Sequence, residues 1–192
     1  MTWKQLLQPD LILESSILNL TPDILETYHL RGLILDVDET LVPLSVSQAS
    51  PELRHWVEQM RSFVSLCLVS NNLSESRIRG IAEFLDLPYY LGAAKPSRRK
   101  IREAVISMGL PVEQVGMVGD RLFTDVLAGN RLGMFTIFVE PIIYPDINLS
   151  AHPIRKLELW IMEILGASIS SREQRAIQIE KSSIEQINAK TH

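Results

Sequence analysis

Two aspartates, Asp36 and Asp38, follow the apolar run Leu33-Ile34-Leu35 with only Val37 between them. Continued strand geometry would put both carboxylates on one face and turn Val37 toward packing. Carboxylates held that close repel one another unless a cation or a proton separates them. The pair therefore suits a hard cation such as Mg2+, which prefers oxygen ligands. It equally suits divided labour, with one ionised carboxylate attacking while the other carries a proton. Taken alone, Asp-x-Asp also describes two ordinary loop or helix-cap aspartates.

A second acidic pair, Asp120 and Asp125, follows another apolar run and Gly119, a residue that permits close backbone approach. Asp120 could complete a metal site; Asp125 either caps the next helix or holds a metal-bound water. Ser70 and Asn71 end a third apolar run, where a hydroxyl and backbone N–H groups can meet phosphoryl oxygens. Ordinary turn formation suits the same two residues. Lys95 beside such a site would offset phosphate charge. Arg98, Arg99, Lys100 and Arg102 follow it closely and read as the solvated face of a helix.

The elements that must position these groups alternate. Short apolar runs predict strands at residues 33–35, 63–69, 89–91, 115–118 and 135–139. Helical spacing appears between them: Leu53, Trp56, Val57 and Met60 after Pro51; Ile78, Ile81, Ala82 and Leu85 after Ser74; Ile101, Ala104, Val105 and Met108 after Pro96. A further helix is expected from near Thr124 to Arg131, with Gly133 ending it, and Thr21-Pro22 opens another upstream. Strands and helices in this alternation imply an α/β, Rossmann-like, mostly parallel sheet with helices on both faces. The carboxyl ends of such strands share one edge, so all four polar clusters can converge there.

With 192 residues, 46% of them hydrophobic, the chain suits one domain, 1–192, with a core of about 33–139 and a C-terminal helical extension over 153–192. A net charge of -4 argues against broad nucleic-acid binding. Cys67 lies within an apolar run and reads as core, and His29, His55, His152 and His192 lack zinc-ligand spacing. There is no spanning apolar stretch and no secretory pattern at the start, so a cytoplasmic chain, soluble or peripherally attached to a membrane, is expected.

The ordered set is specific. DVDETL at 36–41, SNN at 70–72, KP at 95–96 and GDRLFTD at 119–125 resemble the haloacid dehalogenase-like (HAD) phosphohydrolase superfamily. The resemblance implies that Asp36 is the nucleophile forming an aspartyl-phosphate and Asp38 the general acid/base. It implies that Thr40 supports the phosphate pocket, that Ser70 and Asn71 bind phosphoryl oxygens, and that Lys95 is the basic residue of the site. Mg2+ would lie against Asp36, the backbone carbonyl of Asp38 and Asp120, with Asp125 assisting. About 30 residues separate Thr40 from Ser70 and about 24 separate Asn71 from Lys95, so an essentially capless member is expected.

Leu20-Thr21-Pro22, Gly32 to Asp36 and the stretch from Thr124 to Gly133 are similar to the phosphatidylglycerophosphate phosphatase-like branch (subfamily IIIA). That resemblance implies release of phosphate from phosphatidylglycerophosphate. Two alternatives stand beside it: a soluble phosphatase acting on a small phosphometabolite or a phosphoprotein, and a non-catalytic scaffold. The partners expected are a phosphorylated small molecule or lipid and a peripheral membrane contact. That contact would use the region of Trp3, Leu6, Leu7, Leu11 and Ile12, or residues 153–165, unless these pack on the core. An organellar location also fits the branch, and the sequence assigns no oligomeric state.

Overall fold

The computed structural model describes residues 2–13 and 15–142. The extension expected over 153–192, including the apolar segment at 153–165, lies outside the described residues. The elements are α1 (Trp3–Leu6), β1 (Leu11–Ile12), α2 (Pro22–Thr27), β2 (Gly32–Leu35), α3 (Pro51–Met60), β3 (Ser65–Val69), α4 (Glu75–Leu85), β4 (Tyr89–Tyr90), α5 (Arg99–Met108), β5 (Val115–Gly119), α6 (Leu127–Leu132) and β6 (Phe135–Phe138). One sheet in the order β1-β6-β5-β2-β3-β4 contains all six strands, and every pairing is parallel.

Alternation along the strands builds two cores. Leu33, Leu35, Leu66 and Leu68 pack with Leu53, Trp56, Val57 and Met60 of α3 and Ile78, Ile81, Ala82 and Leu85 of α4. The intervening Ile34, Cys67, Val69, Val115 and Met117 pack with Ile101, Ala104 and Val105 of α5 and Ala128 of α6. Helices therefore cover both faces, as the strand period of two requires when neither face meets water. Each fully buried Leu or Ile in these cores stabilises the fold by about 1.5–3 kcal/mol relative to exposure. Between α6 and the sheet the fit depends on Gly129, where a Cβ would stand 2.6 Å from Thr136 Cγ2 and 3.0 Å from Met117 Cβ.

Several boundaries differ from the sequence pattern. Strand β3 starts at Ser65, because Phe63 belongs to the turn after α3 and is 55% exposed. Pro96 does not open α5: the Lys95–Pro96 bond is cis, the Ser97 N–H closes a turn on Ala94 O, and the helix begins at Arg99. The helix expected from Thr124 starts earlier, as a π-helical turn over Leu122–Val126 that runs into α6. Gly109 and Gly133 end their helices in left-handed conformation, as expected.

The N-terminal region supplies an edge strand that two residues are too few to announce by periodicity. Leu11 and Ile12 pair with Ile137 and Phe138, and Leu7 and Leu11 are buried, so these leucines take the core-packing alternative, while Trp3 remains exposed. Among the described residues no helix is long and apolar enough to cross a membrane.

Asn130 fastens this edge. Its Nδ2 donates to Leu6 O and Gln8 O at 2.9 Å, and the Thr136 hydroxyl lies 3.1 Å from its Oδ1. Replacing Asn130 with Ala would leave the part-buried Leu6 and Gln8 carbonyls without this donor, at about 1–3 kcal/mol for a group left unsatisfied. Urea denaturation of Asn130→Ala is expected to show a loss on the order of 2–3 kcal/mol. Backbone amides of β1 should also exchange faster than those of β2.

Candidate functional site

Neighbouring strands deliver the polar clusters to one edge. Register pairs Leu35 with Val118 on one side and with Leu68 on the other, so Asp36, Asp120 and Ser70 emerge side by side. The Asp36 N–H continues the ladder onto Val118 O at 2.9 Å. After it the chain folds back, with Leu41 and Val42 N–H both bonding Val37 O and Glu39 in left-handed conformation. Val37 enters the core, as its spacing predicted.

This turn separates the two aspartates that the Asp-x-Asp spacing placed together. The Asp36 carboxylate is buried and faces Lys95, whose ammonium donates to its Oδ1 and to Val69 O at 3.0 Å. Asp36, Asp120 and Asp125 each offer an oxygen within 4.8 Å of the others, and all three residues are buried. The Asp38 side chain lies outside that group. Its Oδ2 accepts from Ser70 Oγ at 2.8 Å, and its Oδ1 accepts from Asn72 Nδ2 at 3.3 Å and from Arg77.

Thr40 braces the acidic group. Its Oγ1 lies 3.2 Å from Asp36 Oδ2 and 3.0 Å from Asp120 Oδ1, and it accepts the Asp120 N–H at 3.1 Å. The hydroxyl has one proton, so the two carboxylates share a single donor. Asn71 acts on Lys95 through its side chain: Oδ1 takes the Lys95 N–H at 2.6 Å and Nδ2 donates to Lys95 O at 3.1 Å. That pair fixes the segment from which the ammonium projects.

Asp125 is not a helix cap. It lies within the π-helical turn, is 1% exposed, and has Lys95 Nζ 2.7 Å from its Oδ1 as an ion pair. Neither of its oxygens receives a well-directed hydrogen bond. Gly119 makes room for it, since a Cβ there would fall 2.6 Å from Asp125 Cβ and nearer still to its carboxylate. Three carboxylates are thus buried together beside one ammonium. Oxygen ligands and the two Asp125 oxygens without hydrogen bonds fit a hard divalent cation.

Arg77 and Asn72 carry contacts to Asp38 that the sequence pattern did not single out. Asn72 stood inside the SNN motif, whereas Arg77 sits on α4 beside Ile78 and gave only the signal of a charged residue next to an apolar stripe. The basic residues after Lys95 keep to the outside, where Arg99 and Lys100 pair with Glu103. Cys67 is core, its thiol pushed up to about 12 by burial.

A family model described as HAD-hydrolase-like matches residues 92–144, the stretch holding Lys95, Asp120 and Asp125. A probable phosphatase of Bacillus subtilis (strain 168), YqeG, is 37% identical over 144 residues, covering 74% of this chain and 83% of that protein. The chain belongs to the haloacid dehalogenase-like phosphatase superfamily. Other relatives are the phosphatidylglycerophosphate phosphatases 1 of Arabidopsis thaliana, 23% identical over 150 residues, and of Chlamydomonas reinhardtii, 30% identical over 141 residues. The matches cover 73% and 68% of this chain but only 43% and 52% of those longer proteins.

Electrostatics of this HAD site follow from burial. Desolvation raises the Asp36 carboxyl from 3.8 to about 7, with Lys95 opposing the rise and Asp125 adding to it. Burial alone would lower the Lys95 ammonium, but the charges of Asp125 and Asp36 outweigh it and leave it raised. With divalent ions chelated, unfolded Asp36 loses its proton near 3.8 and native Asp36 near 7, so the native state holds the extra proton between them. Its contribution to stability therefore falls as pH rises through that window and levels off above it. Urea denaturation in chelator from about pH 4 to about pH 8 should show wild type losing stability relative to Asp36→Asn as pH rises.

Proposed function

We propose that this chain hydrolyses phosphate monoesters through an aspartyl-phosphate at Asp36, with phosphatidylglycerophosphate as its substrate. The observation that carries the chemistry is the buried Asp36 carboxylate, paired with Lys95 and grouped with Asp120 and Asp125. Asp36, Asp120, Asp125 and the backbone carbonyl of Asp38 would hold Mg2+, which supplies positive charge against the incoming phosphate.

Lys95 works in the same direction, favouring the ionised Asp36 that burial disfavours. Asp36 forms a bond to phosphorus as the ester P–O bond breaks, and the departing oxygen takes a proton from the Asp38 carboxyl. Ser70 Oγ–H, the Asn71 backbone and Lys95 hold the phosphoryl oxygens, and Thr40 keeps the acidic loop in place. Water then attacks phosphorus, Asp38 receives its proton, and the P–O bond to Asp36 breaks. An alcohol and inorganic phosphate leave.

Two features support the lipid. Relatives named for phosphatidylglycerophosphate cover the same region, and the two intervals between motifs hold one helix each, α3 and α4, with no folded cap among the described residues. A headgroup phosphate can then reach the strand ends while the rest of the lipid stays outside. On this reading the protein works peripherally at a membrane surface that presents the lipid.

The deciding experiment measures Mg2+-dependent phosphate release from phosphatidylglycerophosphate in mixed micelles, beside soluble sugar phosphates, nucleotides and phosphopeptides. Preference for the lipid is expected. Equal or better turnover of a soluble monoester would move the enzyme to that class, and no release from any of them would remove the enzymatic reading. Asp36→Asn should abolish both turnover and the transfer of labelled phosphate to the chain.

A further inference from the structure

We propose that Arg77 is the positioning residue for Asp38, holding one carboxylate oxygen so that the other is presented to the water that cleaves the aspartyl-phosphate. The inference rests on the reading above that Asp36 carries the phosphoryl group.

Arg77 belongs to α4, which Ile78, Ile81, Ala82 and Leu85 bury against the sheet. Its guanidinium leaves the helix and spends its donors on the loop that follows the nucleophile. One arm pairs with Asp38 Oδ1, Nη2 donates to Pro43 O at 3.0 Å, and Nε donates to Val46 O at 3.2 Å. The side chains of Arg77 and Asp38 are only 12% and 17% exposed, so the pair is shielded from the screening that makes surface pairs weak. A planar fork reaching a carboxylate and two carbonyls has little freedom to turn.

The two oxygens of Asp38 have different keepers. Oδ1 is held by Arg77 and Asn72, and Oδ2 only by the Ser70 hydroxyl. Ser70 has one proton to donate, and on the proposed reading a bound phosphoryl oxygen takes it. Oδ2 is then released while Oδ1 stays clamped. In the second half of the reaction an O–P bond forms from water, the P–O bond to Asp36 breaks, and the water proton passes to Oδ2. Arg77 touches none of the reacting atoms; it fixes the carboxylate that receives the proton.

Pre-steady-state kinetics with p-nitrophenyl phosphate at saturating Mg2+ separate this role from plain loop support, because nitrophenolate departs without a proton donor. In Arg77→Met one nitrophenolate per enzyme should be released at close to the wild-type rate. Steady-state turnover should then fall on the order of 100-fold, as for other losses of acid–base assistance. Acid quenching should trap phosphate on the chain, with KM unchanged or lowered. Arg77→Lys, which restores charge beside Oδ1 without the fork, should recover part of the turnover. Thermal midpoints monitor folding, and if the Met variant is unfolded the Lys variant is read alone, a burst with slowed turnover being the expected result. Turnover within twofold of wild type, or burst and turnover falling together, would overturn the assignment. A wild type without any turnover would sink the proposed function itself.

Discussion

Three carboxylates buried around one ammonium impose the demand that the rest of the site answers. Asp36, Asp120 and Asp125 would repel and unfold the edge of the sheet if nothing compensated them, since charges removed from water are costly unless paired. Lys95 compensates in part, and its own position is secured from outside the cluster by the two hydrogen bonds of Asn71 to its backbone. Thr40 contributes one shared proton and accepts the Asp120 N–H, tying the loop after β2 to the loop after β5. Three acidic residues grouped in this way suit a divalent cation.

Space is as tightly controlled as charge. Asp125 fits because Gly119 has no side chain, and it points inward because the chain winds into a π turn before α6 begins. A regular helix starting near Thr124 would have put Asp125 at the helix mouth, free to cap it. The π turn moves the carboxylate beneath the strand end and onto Lys95. The inward placement of Asp125 goes with a break in local helix regularity, and such turns are common at functional sites.

The turn at Glu39 divides the site into two chemical compartments. On one side lies the acidic group with its lysine; on the other lies Asp38 with Ser70, Asn72 and Arg77. Two aspartates two residues apart can therefore hold different tasks, because their environments differ. An extended strand through Asp38 would have merged them into one cluster of four carboxylates around a single lysine.

From the residues alone came the alternating elements, the carboxyl-edge location of every cluster, and Asp36, Asp38, Asp120, Asp125, Ser70 and Lys95 as candidates, of which the structure groups Asp36, Asp120 and Asp125 around Lys95 and sets Asp38 with Ser70. These were legible because apolar periodicity and strand-end polarity are local signals that burial enforces wherever a sheet is covered on both faces. The edge strand β1, the inward role of Asp125, the Asn71 grip on Lys95 and the reach of Arg77 to Asp38 depended on tertiary structure. Each joins segments distant in the chain or turns on a backbone conformation that a one-dimensional pattern does not encode. Arg77 shows the reason most plainly: 39 residues separate it from Asp38, and only the packing of α4 against the sheet brings the two together.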